Sequence, residues 1–418
     1  MANKAYDVVV IGCGTAGAAA GRAAALGGAR TLIVEKKRSI GLPEHDYCSI
    51  LAYSWAEAEN LANFKLDFSC AFAKADEIAY FTSTGKRGKG LPVKDLYWIH
   101  RSQFERFLAT EAVHAGAKTM INSTVVDLVK EKGRVKGVVV KSGHETMTIE
   151  CPVVIGASGT YANVALMAGL PPEQRPLAVG LAYEFVGVKT LQRGARTYEI
   201  YTGTHPSGSA GWARGGVVNP HTDDKVIVGV AYPLGVRAKT RRASELLNAL
   251  IKHLEKIGKY NFDEAAPISL IAGCASFGQY QEKPPKIVSD GIMLVGDAAG
   301  KPLIGAQWGA PGMTNCLFTG RMAGEAASAA IKAGDVSEKR LAREYVDRIA
   351  ETSAAERPRF MEAMKVVEKL GTLSSDKADK AIMEIGEELV ALRIYEKGGL
   401  SFSWCMKPIQ DWLRKEGV

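Results

Sequence analysis

The 418-residue chain has no apolar run approaching the roughly 18–20 residues needed to span a bilayer, which argues against a helical membrane anchor. It also lacks any C-x-x-C pair, its seven cysteines being scattered at positions 13, 48, 70, 151, 274, 316 and 405. That scatter disfavours a zinc site, an iron–sulfur cluster and a secreted disulfide framework, so no metal is expected and a reducing compartment is. No arginine-rich tract, internal repeat or low-complexity stretch is present. The net charge of +8 therefore comes from dispersed Lys and Arg, and nucleic acid is not an expected partner. A weak attraction to anionic headgroups stays open. The opening "MANKAYDVVVIG" passes from a short polar lead straight into a strand-like run. This predicts a chain without a signal peptide, cytoplasmic and at most peripheral to a membrane.

Length alone predicts more than one domain. "AYDVVVIGCGTAGAAAGRAAALGGARTLIVEKK" reads as a strand (6–11), a tight turn, an Ala-rich helix (16–26) and a second strand (31–34) closed by Glu35. Gly12, Gly14 and Gly17 form G-x-G-x-x-G at the strand-to-helix turn. Missing side chains there permit a tight turn, close approach of backbone N–H groups to a pyrophosphate, and close helix–strand packing. The helix N-terminus adds a dipole that favours the anion. Glu35, eighteen residues beyond Gly17, is spaced to accept hydrogen bonds from an adenosine ribose. The whole unit predicts dinucleotide binding.

Farther on, "RSQFERFLATEAVHAG" carries Ser102 and Glu105 at capping-box spacing, with Phe104, Phe107, Leu108 and Ala112 on one face and Arg101 just ahead of the cap. Residues 123–150 alternate around turns at Lys132–Gly133 and Ser142–Gly143, predicting a meander that returns to the parallel sheet at 153–155. Gly156, Ser158 and Gly159 then make another close-approach turn. From about 171 to 285 the pattern is of antiparallel strands with one buried face (Val226, Val228, Val230), interrupted by the helix "SELLNALIKHLEKIG". "GIMLVGDAAG" returns to a buried strand ending in Gly296 and Asp297, followed by a Gly/Pro-rich turn and a small-residue helix from about 311 to 332. The expected fold class is therefore α/β: a Rossmann-type dinucleotide domain from 1–170 and 286–335, an inserted β-rich substrate domain from 171–285, and a C-terminal helical region from 336–418.

Three separated pieces, "GCGTAG…E", "HRSQFERFL" and "GIMLVGDAAG", together resemble the aromatic hydroxylase-like FAD enzymes, and among them the geranylgeranyl reductase family. The resemblance spans nearly the whole chain in motif order and implies FAD as cofactor. It implies that Asp297, beside Gly296, contacts the ribityl or ribose–phosphate part of FAD. It also implies that the helix start around Gly309, Pro311, Gly312 and Met313 faces the flavin pyrimidine edge, and that Arg101 contacts the cofactor. Gly12, Gly14, Thr15, Ala16, Gly17, Glu35, Lys36 and Val125 complete the cofactor-binding set. A helix N-terminus stabilises negative charge on a reduced flavin, so the physics agrees.

The loop "GLPEHDYCSI" poses its own question. Cys48 is either a small buried hydrophobe or a thiol held against the cofactor. The reductase branch has a cysteine in a similar Gly/Pro-bearing loop, which implies the second and makes Cys48 the candidate catalytic residue. His45 with Asp46 is either a proton relay or solvated surface. In the substrate half, family members carry Y-x-W-x-F-P; here only Trp212 matches, and the flanking positions read Ala210, Arg214 and Gly215. "KPLIGAQWGAPG" adds Lys301, Gln307 and Trp308, and His45, Trp212, Trp308, Tyr201 and His205 are the candidate pocket residues.

The function implied is FAD-dependent reduction of a carbon–carbon double bond in an apolar, prenyl-like substrate, with hydride leaving reduced flavin N5. With no second G-x-G-x-x-G, the reductant is a transiently bound NAD(P)H or a small electron carrier. Two alternatives share the fold. A flavin monooxygenase or halogenase is one, although W-x-W-x-I-P is absent and Gly300 stands where hydroxylases carry histidine. An electron-transferring flavoprotein acting on quinone is the other, and the scattered cysteines cannot supply its cluster.

Overall fold

A computed structural model describes residues 6–42, 48–51, 59–60, 62–170, 177–190, 197–201, 214–220, 224–233, 243–276, 286–300, 311–353, 365–366, 369, 373–391 and 402–418. The chain begins β1 (Val8–Ile11), α1 (Thr15–Leu26) and β2 (Thr31–Val34). Three strands follow, β3 (Cys48–Leu51), β4 (Ala71–Phe81) and β5 (Leu91–Ile99), and then α2 (Arg101–His114). Next come β6 (Lys118–Met120), β7 (Ser123–Glu131), β8 (Arg134–Ser142), β9 (Glu145–Glu150), β10 (Val153–Gly156) and α3 (Asn163–Ala168). The middle of the chain holds β11 (Leu177–Val186), β12 (Lys189–Thr190), β13 (Thr197–Tyr201), β14 (Arg214–Pro220), β15 (Lys225–Pro233), α4 (Ala243–Lys256), β16 (Tyr260–Asn261) and β17 (Ala266–Ser276). It ends with β18 (Val288–Ser289), β19 (Ile292–Leu294), α5 (Pro311–Lys332), α6 (Glu338–Leu341), a π-helical turn, α7 (Arg348–Ser353), α8 (Ser375–Ala391) and α9 (Phe402–Lys415).

The first sheet runs β18-β19-β10-β1-β2-β6, and all pairings that bear on the cofactor turn are parallel. Every residue of β1, β2 and β10 is buried. That is why these strands read as unbroken Val/Ile runs: a parallel sheet covered on both faces has no wet side. α1 and α5 pack together on one face through small residues, tied where Ser328 Oγ donates to the Ala24 carbonyl at 3.0 Å. The expected meander is present as the antiparallel β7-β8-β9 sheet, with Lys132 and Gly133 both at positive φ in its first turn.

The second sheet runs β17-β11-β15-β14-β13-β4-β5-β3. Three of its strands come from residues 48–99, which the sequence had grouped with the dinucleotide domain. The strands β11, β13, β14, β15 and β17 come from the expected β-rich segment. The two groups meet where β13 lies parallel to β4, while the other pairings are antiparallel. Local periodicity identifies a strand but not the partner more than a hundred residues away, so this division was invisible in the sequence.

α4 covers one face of this sheet with Leu246, Leu247, Leu250 and Leu254 against Phe81, Phe185, Val226, Val228 and Val230. Tyr201, offered by the sequence as a pocket residue, lies in this core with no exposed surface, stacked on Phe81 at 4.7 Å. Its hydroxyl donates to Glu199 Oε2 at 2.8 Å, Tyr260 does so at 3.1 Å, and the Lys259 ammonium donates to Glu199 Oε1.

His253, on α4, sits edge-on to Tyr201 with Nε2 lacking a hydrogen-bond partner among the described residues. Burial, and then Lys256, push its imidazole below the usual 6.5. The unfolded chain therefore protonates first, and stability is lost as pH falls through about 6.5 towards the folded value. Thermal melts at about pH 7.5 and about pH 5.5 are expected to differ less in His253→Gln than in the parent, and equal differences would contradict this.

α8 packs on α9, with Trp412 Nε1 donating to Glu384 at 2.9 Å. α8 also caps the turn after β4, where Asp379 accepts from the Ser83 amide at 2.8 Å and its hydroxyl at 2.5 Å. Among the described residues no helix is long and apolar enough to cross a membrane.

Candidate cofactor site

Between β1 and α1 the chain turns at Gly12, whose φ of +100° is open to glycine and strained for other residues. A Cβ on Gly12 would lie 2.5 Å from the Ala157 carbonyl, and one on Gly17 would lie 1.9 Å from the Gly12 carbonyl. Both glycines thus serve backbone packing. Gly14 differs: it is the N-cap of α1, and a Cβ there would meet only Glu105 Oε1, at an ordinary 3.6 Å. No side chain caps α1, no acidic residue occupies its first turn, and the hydroxyl of buried Thr15 has no partner among the described residues. This is a helix start with unspent donors. Ala16 and Gly17 are buried in the same turn.

Glu35 directly follows β2 and is 6 % exposed, yet no Lys or Arg pairs with it among the described residues. Instead Oε2 accepts from the Cys13 amide at 2.6 Å and Oε1 from the Lys37 amide at 2.9 Å. Each oxygen keeps acceptor capacity for a hydroxyl. Lys36 is exposed beside it. Val125 is buried on β7, two residues past Ser123, whose amide donates to the Glu35 carbonyl at 3.0 Å. Cys13 is no nucleophile: burial, and then Glu35 and Glu105, push its thiol up to about 12.

α2 starts two residues earlier than a cap on Ser102 implies, at Arg101, with His100 as N-cap and no side-chain cap bond. The expected capping box is absent. Glu105 is 4 % exposed and accepts from Arg101 Nε at 2.8 Å, close to Gly14. The helix start has moved by two residues, so the S-x-x-E spacing no longer falls on the cap and the glutamate turns inward. The sequence therefore missed Glu105 as a site neighbour. Cys48 opens β3, its backbone paired with Ile99 two residues before Arg101.

On the other side of β1, Asp297 lies in a 3₁₀ turn after β19, where Oδ2 accepts from the Thr160 hydroxyl at 2.7 Å. Gly296 precedes it with φ +57° and donates its amide to Thr319 on α5 at 3.0 Å. α5 begins at Pro311, with Gly312 half-buried and Met313 buried in its first turn. The turn after β10 leaves the Ser158 hydroxyl buried with no partner among the described residues. His45, Asp46, His205, Trp212, Lys301, Gln307, Trp308 and Gly309 lie outside the described residues.

The donor set suits FAD. An uncapped helix start and two orphaned hydroxyls match a diphosphate, and buried Glu35 and tethered Asp297 match hydroxyl-bearing sugar and ribityl groups. The model of the family described as "FAD dependent oxidoreductase" matches residues 7–174. Fold and site thus define an FAD-dependent oxidoreductase.

Similarity extends through the second sheet and the C-terminal helices. The chain is 31 % identical over 402 residues to digeranylgeranylglycerophospholipid reductase of Methanocaldococcus jannaschii, covering 93 % of this chain and 92 % of that one. It is also 31 % identical over 382 residues to digeranylgeranylglycerophospholipid reductase 1 of Methanothermobacter thermautotrophicus, covering 89 % and 88 %. A geranylgeranyl bacteriochlorophyll reductase-like protein from Thermoplasma acidophilum superposes with a TM-score of 0.78 at 24 % identity, covering 98 % and 96 %. A flavin-dependent brominase superposes at 0.66 and 17 % identity, covering 99 % and 100 %. These two likenesses concern the fold. The chain belongs to the geranylgeranyl reductase family.

Proposed function

We propose that this protein reduces carbon–carbon double bonds in a prenyl-chain lipid. The observation that carries the reading is the near-full-length similarity to digeranylgeranylglycerophospholipid reductases, which includes the substrate-side sheet as well as the dinucleotide motif. The character of that sheet supports it. On the face opposite α4, Ala182, Ile227 and Ile271 cluster with Phe72, and the register sets Gly180 beside Ala231 and Gly273. That face of the sheet is therefore apolar in this region, the chemistry that the binding side for a long hydrocarbon chain requires.

In this reading the uncapped start of α1 holds the FAD diphosphate, assisted by Arg101. Glu35 accepts from the adenosine ribose, and Asp297 accepts from the ribityl or ribose–phosphate region. The start of α5, at Gly312 and Met313, would meet the pyrimidine edge and favour its negative charge in the reduced state. Bound FAD, once reduced, would supply the hydride. Cys48, or a relayed water, would deliver the proton to the second carbon. NAD(P)H or a small electron carrier is the reductant. The +8 charge and the exposed apolar Tyr161 and Leu166 support a peripheral contact with the membrane that stores such lipids.

The test is anaerobic. The purified yellow protein is photoreduced and mixed with a micellar digeranylgeranylglycerophospholipid. Reoxidation of the flavin together with a mass gain of two hydrogens per bond is expected. Product carrying oxygen or halogen, formed only in air, would assign the monooxygenase or halogenase alternative instead. Cys48→Ala is expected to keep its FAD and its photoreduction while slowing substrate-dependent reoxidation at least about tenfold, the lower range for one acid–base group being about a hundredfold. Unchanged reoxidation removes the thiol from the mechanism.

A further inference from the structure

We propose that Thr160 is a positioning residue for the cofactor, aiming the Asp297 carboxylate through its hydroxyl. This rests on the reading of Asp297 as an FAD ligand. In the first sheet β10 lies between β1 and β19, so the turn leaving β10 lies between the Gly12 turn and Asp297. Both sides of that turn are anchored. The Ala157 amide donates to the Ile11 carbonyl at 2.9 Å, and the Gly156 carbonyl accepts from the Val295 amide at 3.0 Å. Three residues on, Thr160 Oγ1 reaches Asp297 Oδ2 at 2.7 Å across 137 positions of sequence.

An aspartate needs such a partner. Its last torsion joins an sp³ to an sp² carbon and is broad, so packing of the stem leaves the plane of the carboxylate undetermined. A short, charge-assisted hydrogen bond fixes that plane. The thiol of Cys316 also donates to Oδ1, at 3.9 Å, but an S–H is a weak donor and holds the plane less firmly. Two residues after Thr160 the backbone is held under strain: Ala162 is 1 % exposed and sits at φ +52°, an unfavourable conformation for an alanine. The same turn carries the orphaned Ser158 hydroxyl, a second feature pointing towards a ligand.

A residue that merely fills space and one that donates a hydrogen bond predict opposite results. Thr160→Val keeps the shape and loses the donor, whereas Thr160→Ser keeps the donor and loses a methyl group. The readout is the rate of FAD release from diluted holoenzyme, followed by recovery of flavin fluorescence. Thr160→Val is expected to release FAD about tenfold faster than the parent, the scale of one hydrogen bond to a charged group, and Thr160→Ser within about twofold of it. In an Asp297→Ala background, Thr160→Val is expected to add nothing. Should Thr160→Val not fold, Thr160→Ala replaces it in both comparisons. A slow Val variant, a fast Ser variant or additivity in the Asp297→Ala background overturns the assignment. A parent protein that holds no FAD overturns the underlying reading instead, so the two failures are distinguishable.

Discussion

Gly12→Ala is expected to emerge from purification colourless, even when FAD is supplied throughout. Two penalties add at that position. A φ of +100° is costly for any residue with a Cβ, and the new methyl would sit 2.5 Å from the Ala157 carbonyl. Neither strand can yield, because the Gly12 amide donates to the Val34 carbonyl at 2.8 Å and the Ala157 amide to the Ile11 carbonyl at 2.9 Å. Together these amount to at least about 3 kcal/mol, or about a hundredfold in affinity if the strain falls on the cofactor turn. Gly14→Ala is the informative partner. Its Cβ meets nothing closer than Glu105 at 3.6 Å, so its melting temperature stays near that of the parent while FAD, approaching from the open side, binds less tightly. The ratio of flavin to protein absorbance and a thermal melt of each variant check this. A fully yellow Gly12→Ala protein with an unchanged melt would refute it.

Lys259→Met carries the largest expected effect on stability, about 3–5 kcal/mol. Lys259 is 8 % exposed, its ammonium lies 4.0 Å over the Phe81 ring, and it donates to Glu199, itself 5 % exposed. Burial lowers the lysine pKa even though Glu199 works against that shift, so desolvation outweighs the attraction within the pair. The pair is therefore not the source of the loss. What destabilises the variant is a buried carboxylate left, among the described residues, with Tyr201 and Tyr260 as donors. Both phenols are held neutral, raised first by burial and then by Glu199. The double variant Glu199→Gln/Lys259→Met replaces that anion with a neutral acceptor and is expected to recover most of the stability. Denaturant melts of the parent, single and double variants test the scheme, and a single variant as stable as the parent would defeat it.

The consequence would be local to the second sheet. Glu199 and Tyr201 lie on β13, the strand that joins β4 in parallel, and Thr197 at its start donates to Glu77 on β4 at 2.6 Å. The buried quartet thus pins the seam between chain segments 48–99 and 177–276. The sequence offers Tyr201 as a pocket residue, because an aromatic residue on a strand gives no indication of which face meets a helix.

Glu105 teaches a related lesson. Serine three residues ahead of glutamate before an apolar stretch is a real capping signature, yet a helix beginning at Arg101 instead of after Ser102 turns the same glutamate into a buried partner of arginine. Boundary shifts of one or two residues are ordinary at helix ends, and here a two-residue shift reverses the role of a side chain. Thr160 was hidden differently. "GASGT" announces a close-approach turn, but nothing in it names a carboxylate 137 positions later.

Amino-acid order alone determined the dinucleotide half of this protein: β1, α1, β2, the glycine turn, Glu35 and the strand leading to Asp297. Those features depend on short-range physics, namely unbroken apolar strands, missing Cβ atoms and a helix start within a few residues of each other. Tertiary structure alone decided that residues 48–99 build the second sheet, that Glu105 faces Arg101, that Tyr201 serves a core and that Thr160 tethers Asp297. Each of those is a pairing between distant segments, and which of many compatible partners a strand or polar side chain finds is settled only when the chain packs.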